Sequence, residues 1–302
     1  MKSWHKRIRG SVLALAAVAL LAGCSDSDTD NKDVGPYPNS DLLVPGSALA
    51  ANLTAPNQVI VDTRSAVDYA AAHIPGAINI PITPGNGTFD VGGSGIDKTD
   101  LKPVPDLAAA LGAAGIKESD HVIVCGTDID WLAGRLFWML EYLGAPKVSM
   151  LDGGFSKWSA DGRTTTTTAT TLPAATFTPH VVAARLVDKA DVLAHYADTD
   201  HYTIVDSRNV PDYTAAHIPH AVSILVGDVL NPDLTMKTSL ELDALFADKG
   251  VSKEKTIYTH CYVGYRSSQG YFYFRLMGYN VSHYDGSWTD WNADPNTPKE
   301  HS

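Results

Sequence analysis

Two stretches decide the fold of this chain: Val59 to Pro81, VIVDTRSAVDYAAAHIPGAINIP, and Thr203 to Leu225, TIVDSRNVPDYTAAHIPHAVSIL. Asp62, Arg64, Tyr69, His73, Ile74 and Pro75 of the first return in the second as Asp206, Arg208, Tyr213, His217, Ile218 and Pro219, always 144 residues on. GIKESDHVIVC from Gly115 then matches GVSKEKTIYTH from Gly250 at a spacing of 135, and MLDGGFSKW from Met150 matches HYDGSWTDW from His283 at 133. The change in spacing reflects a glycine-rich insertion in the first copy, near TPGNGTFDVGGSG. One domain is written twice, and a repeat of this size sets the architecture before any single motif does.

Within each copy, strand and helix patterns alternate. QVIVDTR and YTIVDSR are short β-branched runs of the kind buried in parallel sheets. AVDYAAAHI and VPDYTAAHI read as helices stopped by Pro75 and Pro219, because the residue before a proline is pushed out of the α region. HVIVC and TIYTHC are second strands, and the helices that follow them, LAGRLFWMLEYLG and SSQGYFYFRLMG, end at Gly144 and Gly278. The expected fold class is therefore α/β: two tandem domains, each a mostly parallel sheet flanked by helices. Ligands in such sheets sit at the carboxyl ends of the strands. The repeat places the first domain at residues 41–163 and the second at 181–298. The threonine-rich segment between them, residues 164–180, is expected to be an extended surface linker.

The formal charge of −11 argues against nucleic acid or an anionic membrane surface as a partner, since both demand a positive patch. The N-terminus departs from that acidic balance: Lys2, Lys6, Arg7 and Arg9 precede the apolar run SVLALAAVALLAG. That run is too short to span a hydrocarbon core, which needs about 20 residues, and reads as a signal-peptide core. LAGC, Leu21 to Cys24, resembles the bacterial lipobox. The resemblance implies removal of the leader, residues 1–24 carrying the signal and lipobox, and lipidation of Cys24. Ser25 in the next position resembles outer-membrane sorting in a Gram-negative host. Residues 25–40 are then a polar, flexible tether. With Cys24 assigned, only Cys125 and Cys261 remain of three cysteines, which excludes a disulfide scaffold.

The paired VD.R…Y…HIP segments, the cysteine loop HCYVGYRSSQ (His260 to Gln269) and the DG…W closures together resemble the two-domain rhodanese sulfurtransferases, over about residues 41 to 298. The resemblance implies transfer of sulfane sulfur from a donor such as thiosulfate to cyanide or a thiol. Cys261 would be the catalytic nucleophile, held as a persulfide between the two half-reactions. No metal or organic cofactor is implied, and no His/Cys cluster has metal-ligand spacing. Cys261 ends a strand just before a helix, so the N–H groups of residues 262 to 266 can turn toward its sulfur. The helix N-terminus and Arg266 both favour thiolate over thiol. Gly264 permits the tight turn. Tyr262 and Tyr265 are expected to wall the pocket, with Val263 and Ser267 completing the loop. Asp206 and Arg208 are candidates for supporting it, an ion pair fixing the strand end being the plainer reading; Trp288 is a candidate to border it. Cysteine phosphatases resemble this loop but place five residues between cysteine and arginine, where this chain has four.

In the first copy Cys125 falls opposite His260, and Gly126 takes the place of Cys261. The first domain is accordingly expected to be catalytically silent, and Cys125 to be a strand-end residue. His73 and His217 are expected to pack at helix ends, and Trp158 and Trp291 to be core. Two departures bear on the donor. Thiosulfate and mercaptopyruvate enzymes of the family usually carry a second arginine shortly after DSR, where this chain has Asp212, and the residue after Cys261 is Tyr. The competing readings are a binding module for a periplasmic redox partner protein and a redox sensor that would pair Cys261 with Cys125.

Overall fold

The computed structural model describes residues 37–85, 87–91 and 100–302. The expected signal segment, Cys24 and most of the expected tether lie outside the described residues, as does much of the glycine-rich insertion. The first copy runs β1 (Leu43–Val44), α1 (Gly46–Ala51), β2 (Gln58–Asp62), α2 (Ala66–Ala71), β3 (Ile78–Asn79), α3 (Val104–Ala113), β4 (His121–Cys125), α4 (Trp131–Tyr142), β5 (Val148–Leu151) and α5 (Gly154–Ala160). The second repeats it as β6 (Leu186–Val187), α6 (Lys189–His195), β7 (Tyr202–Asp206), α7 (Val210–Ala215), β8 (Val222–Ser223), α8 (Ser239–Asp248), β9 (Thr256–His260), α9 (Arg266–Leu276), β10 (Val281–Tyr284) and α10 (Ser287–Ala293).

Each copy forms a parallel five-stranded sheet, ordered β1-β5-β4-β2-β3 and β6-β10-β9-β7-β8. The registers agree: Asp62 lies opposite Cys125 in one sheet and Asp206 opposite His260 in the other. Cys125 is thus the structural counterpart of His260, as the repeat indicates. The short helices α2 and α7 start at side-chain caps, Ser65 and Asn209, which accept the amides of Asp68 and Asp212. Both helices end two residues before His73 and His217, ahead of the prolines.

The two copies share one core. Helix α4 is apolar nearly all round, the pattern of a helix with no solvent face, and it packs against α9 so that a single cluster of buried side chains spans both sheets. Gly134 sits where they cross: a Cβ there would lie 2.6 Å from the Gln269 amide nitrogen. Phe137 meets Phe272 edge-on at 4.9 Å, and Glu141 accepts from both Tyr271 and Arg275. Smaller clusters around Trp158 and around Trp291 fill the outer face of each sheet.

The threonine-rich segment is extended and largely exposed, yet it is fastened to the first domain. Thr166 pairs with His73, Thr170 donates to Tyr69 Oη, and Phe177 is buried. His217 makes the equivalent bridge to Glu300, so the chain end copies the linker. Residues 37–40 depart from the tether expected over 25–40. The Tyr37 ring is buried and its hydroxyl donates to Lys237 O at 2.7 Å, while the Asn39 amide donates to Leu276 O. Burying one aromatic ring outweighs the polarity of its neighbours. Among the described residues no helix is long and apolar enough to cross a membrane.

Candidate active site

Strand β9 delivers Cys261 to the carboxyl edge of the second sheet, and helix α9 leaves five residues later. The thiol-bearing residue is 1% exposed. Its backbone is held on both sides by the closing turn of the domain: Cys261 N–H donates to Ser287 Oγ at 3.2 Å, and Cys261 O accepts from Trp288 N–H at 3.0 Å. Ser287 adopts a left-handed conformation, φ 54°, unusual for serine, and its hydroxyl donates to Tyr284 O. Among the described residues, no amide N–H from 262 to 266 has a protein acceptor, and α9 has no side-chain cap. A ring of unspent donors at a helix N-terminus suits an anion.

The first copy shows the same edge treated in the opposite way. Asp130 caps α4, accepting the amides of Thr127, Leu132 and Ala133 at 2.8 to 2.9 Å. A Cβ on Gly126, the counterpart of Cys261, would fall 2.6 Å from the Asp130 carboxylate. A fixed carboxylate therefore fills the space a thiolate would need. Cys125 behind it is fully buried, and burial pushes its thiol well above the ordinary range. Both cysteines are free thiols.

The remaining loop residues divide between rim and base. Gly264 takes the left-handed conformation the turn requires, φ 80°. Tyr262 is 54% exposed. Arg266 is also exposed and has no ion-pair partner among the described residues. Val263 packs on the shared core. Ser267 is fully buried, its hydroxyl without a partner among the described residues. Tyr265 is buried at the base, where its hydroxyl donates to Asp90 of the first domain at 2.6 Å.

Arg208 makes a two-pronged buried pair with Asp206, 2.7 Å at its shortest, donates to Ala216 O, and stacks over the Trp288 ring at 4.3 Å. Arg64 repeats this with Asp62, Ala72 O and Phe155 in the first copy. A geometry common to both copies is a strand-end brace, and in the second it steadies the turn that holds Cys261. His260 lies 3.6 Å from Asp206, but burial lowers its basicity, leaving a neutral ring. His73 and His217 are packed at helix ends, each bonding the carbonyl of the tyrosine on which it stacks.

Two residues that motif reading does not single out, Arg135 and Asp90, complete the base together with Asp285 of the DG…W closure. Arg135, on α4 of the first domain, forms a buried ion pair with Asp285. Asp285 also accepts the amide of Leu101, which follows the first-domain insertion, and the insertion itself supplies Asp90. Arg135 does leave a trace in the sequence: it is the one cation inside the apolar run LAGRLFWML. Among the described residues no group of His, Cys, Asp and Glu side chains could hold a metal ion.

Comparison with known proteins agrees with the repeated fold. Residues 46–161 and 189–294 each match the Rhodanese-like domain. The chain belongs to the rhodanese family. Thiosulfate sulfurtransferase of Azotobacter vinelandii is 28% identical over 282 residues, covering 86% of this chain and 97% of that protein. Sulfur carrier protein TtuD of Thermus thermophilus is 29% identical over 285 residues, covering 84% of this rhodanese and 95% of its relative. The crystal structure of SseA from Escherichia coli, reported with the rhodanese fold and catalytic mechanism of 3-mercaptopyruvate sulfotransferases, superposes with a TM-score of 0.73. It is 27% identical and covers 82% of this chain and 98% of that one. Sulfur transfer is thus the activity of this rhodanese at the level of its family.

Proposed function

We propose that this rhodanese-family sulfurtransferase carries sulfane sulfur as a persulfide on Cys261, in a second domain that is active beside a silent first one. The Cys261 thiolate attacks the outer sulfur of a donor such as thiosulfate. The donor S–S bond breaks and sulfite leaves with its electron pair. Cyanide or a thiolate then attacks the terminal sulfur of the persulfide, taking it away as thiocyanate or a new persulfide and restoring the Cys261 thiolate. The observation that carries this reading is the uncapped start of α9: amides 262 to 266 are unspent beside Cys261, whereas in the first copy Asp130 caps the helix by taking the amides of Thr127, Leu132 and Ala133. Those donors favour both the thiolate and the persulfide anion.

Intact mass of the chain before and after thiosulfate tests it, with Cys261→Ser alongside. A gain of one sulfur atom, reversed by cyanide and absent from Cys261→Ser, is expected. No gain with thiosulfate, mercaptopyruvate or polysulfide would overturn the reading. For location, we propose a lipid anchor on Cys24 holding the protein at the outer membrane, facing the periplasm. A Cys24→Ser chain that still fractionates with the outer membrane would refute this.

A further inference from the structure

The first domain has no thiol at its loop, yet it sends two side chains beneath the loop of the second. Arg135 is 2% exposed, and a buried guanidinium is tolerated only where a partner meets its charge. Here it donates to both Asp285 oxygens, lies 3.4 Å from Gly264 O, and stacks over the Tyr265 ring at 4.7 Å. Gly264 is pressed against this pair: a Cβ would lie 2.5 Å from both Asp285 O and Oδ1. The other polar groups packed on the pair are His283, whose Nε2 is 3.7 Å from Asp285 and whose ring burial keeps neutral, and the Tyr265–Asp90 hydrogen bond. The counterpart of Asp285 in the first copy, Asp152, also accepts an amide from the opposite domain, that of Met236. But the matching turn of α9 carries Gln269 and Gly270, so the arginine stands only on the side that serves the cysteine loop.

We propose that Arg135 of the first domain is a positioning residue for sulfur transfer in the second: by holding Asp285 and the Gly264 carbonyl, it turns the 264–265 peptide so that Tyr265 N–H faces Cys261. A trans peptide points its C=O and N–H in opposite directions. A carbonyl drawn down to Arg135 therefore sends the next N–H up into the concave side of the loop. The silent domain is part of the anion site without touching the sulfur. This rests on the reading that Cys261 carries the sulfur.

Two variants test the proposal. Arg135→Lys keeps the charge but loses the planar fork, and the double variant Arg135→Gln/Asp285→Asn removes both buried charges so that neither is left unpaired. Each is assayed for kcat and KM with thiosulfate and cyanide, and for the pH profile of iodoacetamide alkylation at Cys261. We expect kcat to fall at least about tenfold, in line with loss of a preorganised donor, KM to change less than kcat, and the alkylation profile to move to higher pH. A merely structural role would lower Tm and leave that profile in place. Either variant showing wild-type kcat and a wild-type profile overturns the proposal. Should the wild-type chain gain no sulfur, the persulfide reading fails by itself, and the alkylation profile still reports whether Arg135 sets the loop.

Discussion

Replacing Gly264 by alanine probes the loop most directly. Gly264 sits at φ 80°, where an L-residue costs about 1–2 kcal/mol. The new methyl would also stand 2.5 Å from two oxygens of Asp285 and 3.3 Å from Arg135. Neither neighbour can retreat, because each is buried and tied to the other, and overpacking of that kind costs about 1–3 kcal/mol. The sum, roughly 2–5 kcal/mol, corresponds to a fall in Tm of about 4–10 °C for a chain of this size. If the turn instead relaxes away from Asp285, part of that cost is avoided at the expense of the loop amides, and persulfide formation slows by about 100-fold. A thermal melt together with single-turnover mass spectrometry covers both routes. A Gly264→Ala chain with unchanged Tm and an unchanged rate of sulfur uptake would refute the packing argument for this turn.

Asp130→Ala should remove the cap of α4, costing about 1–2 kcal/mol in a urea melt while sulfur transfer is retained; a large loss of kcat would mean the first loop is not silent. Burial raises the Asp152 carboxyl from 3.8 to about 6. The folded chain then holds that proton more tightly than the unfolded one, so the stability this group contributes is full below pH 3.8 and is lost as pH rises through about 6. Asp152→Asn should accordingly raise stability at pH 7 by roughly 1–3 kcal/mol and change little at pH 4, as read by paired melts; the same gain at both pH values would exclude the titration. Iodoacetamide on the native chain should label Cys261 faster than Cys125, whose thiol burial pushes up, and Cys125→Ser should leave turnover intact; labelling of Cys125 as fast as that of Cys261 would count against the raised thiol.

Much of the fold is legible because the chain states it twice. A pattern that survives duplication at VD.R, HIP and DG…W marks strands, caps and closures whatever the intervening residues do, and the sheet registers follow. The cysteine loop is legible for the same reason: contrast with CGTDID shows which copy carries a cysteine at the start of its loop. The base of the site is not. Tyr265 reaches Asp90 across 175 positions and Arg135 reaches Asp285 across 150, and contacts between copies leave no period in the sequence. The roles of Tyr262 and Arg266 likewise depend on which way a helix start faces. Their spacing from Cys261 is fixed by the chain, whereas their exposure is set by the packing of α9 on α4.

Those long separations bear on how the protein comes into being. Synthesis makes Asp90 and Arg135 well before Cys261, and contacts so distant in sequence are among the slowest to form. Until the second copy docks on the first, the turn after Cys261 lacks the Arg135 and Asp90 contacts that fasten it. The loop around Cys261 is thus completed only with the whole molecule, so that, on the function proposed above, half-made or nicked chains carry the thiol without its support.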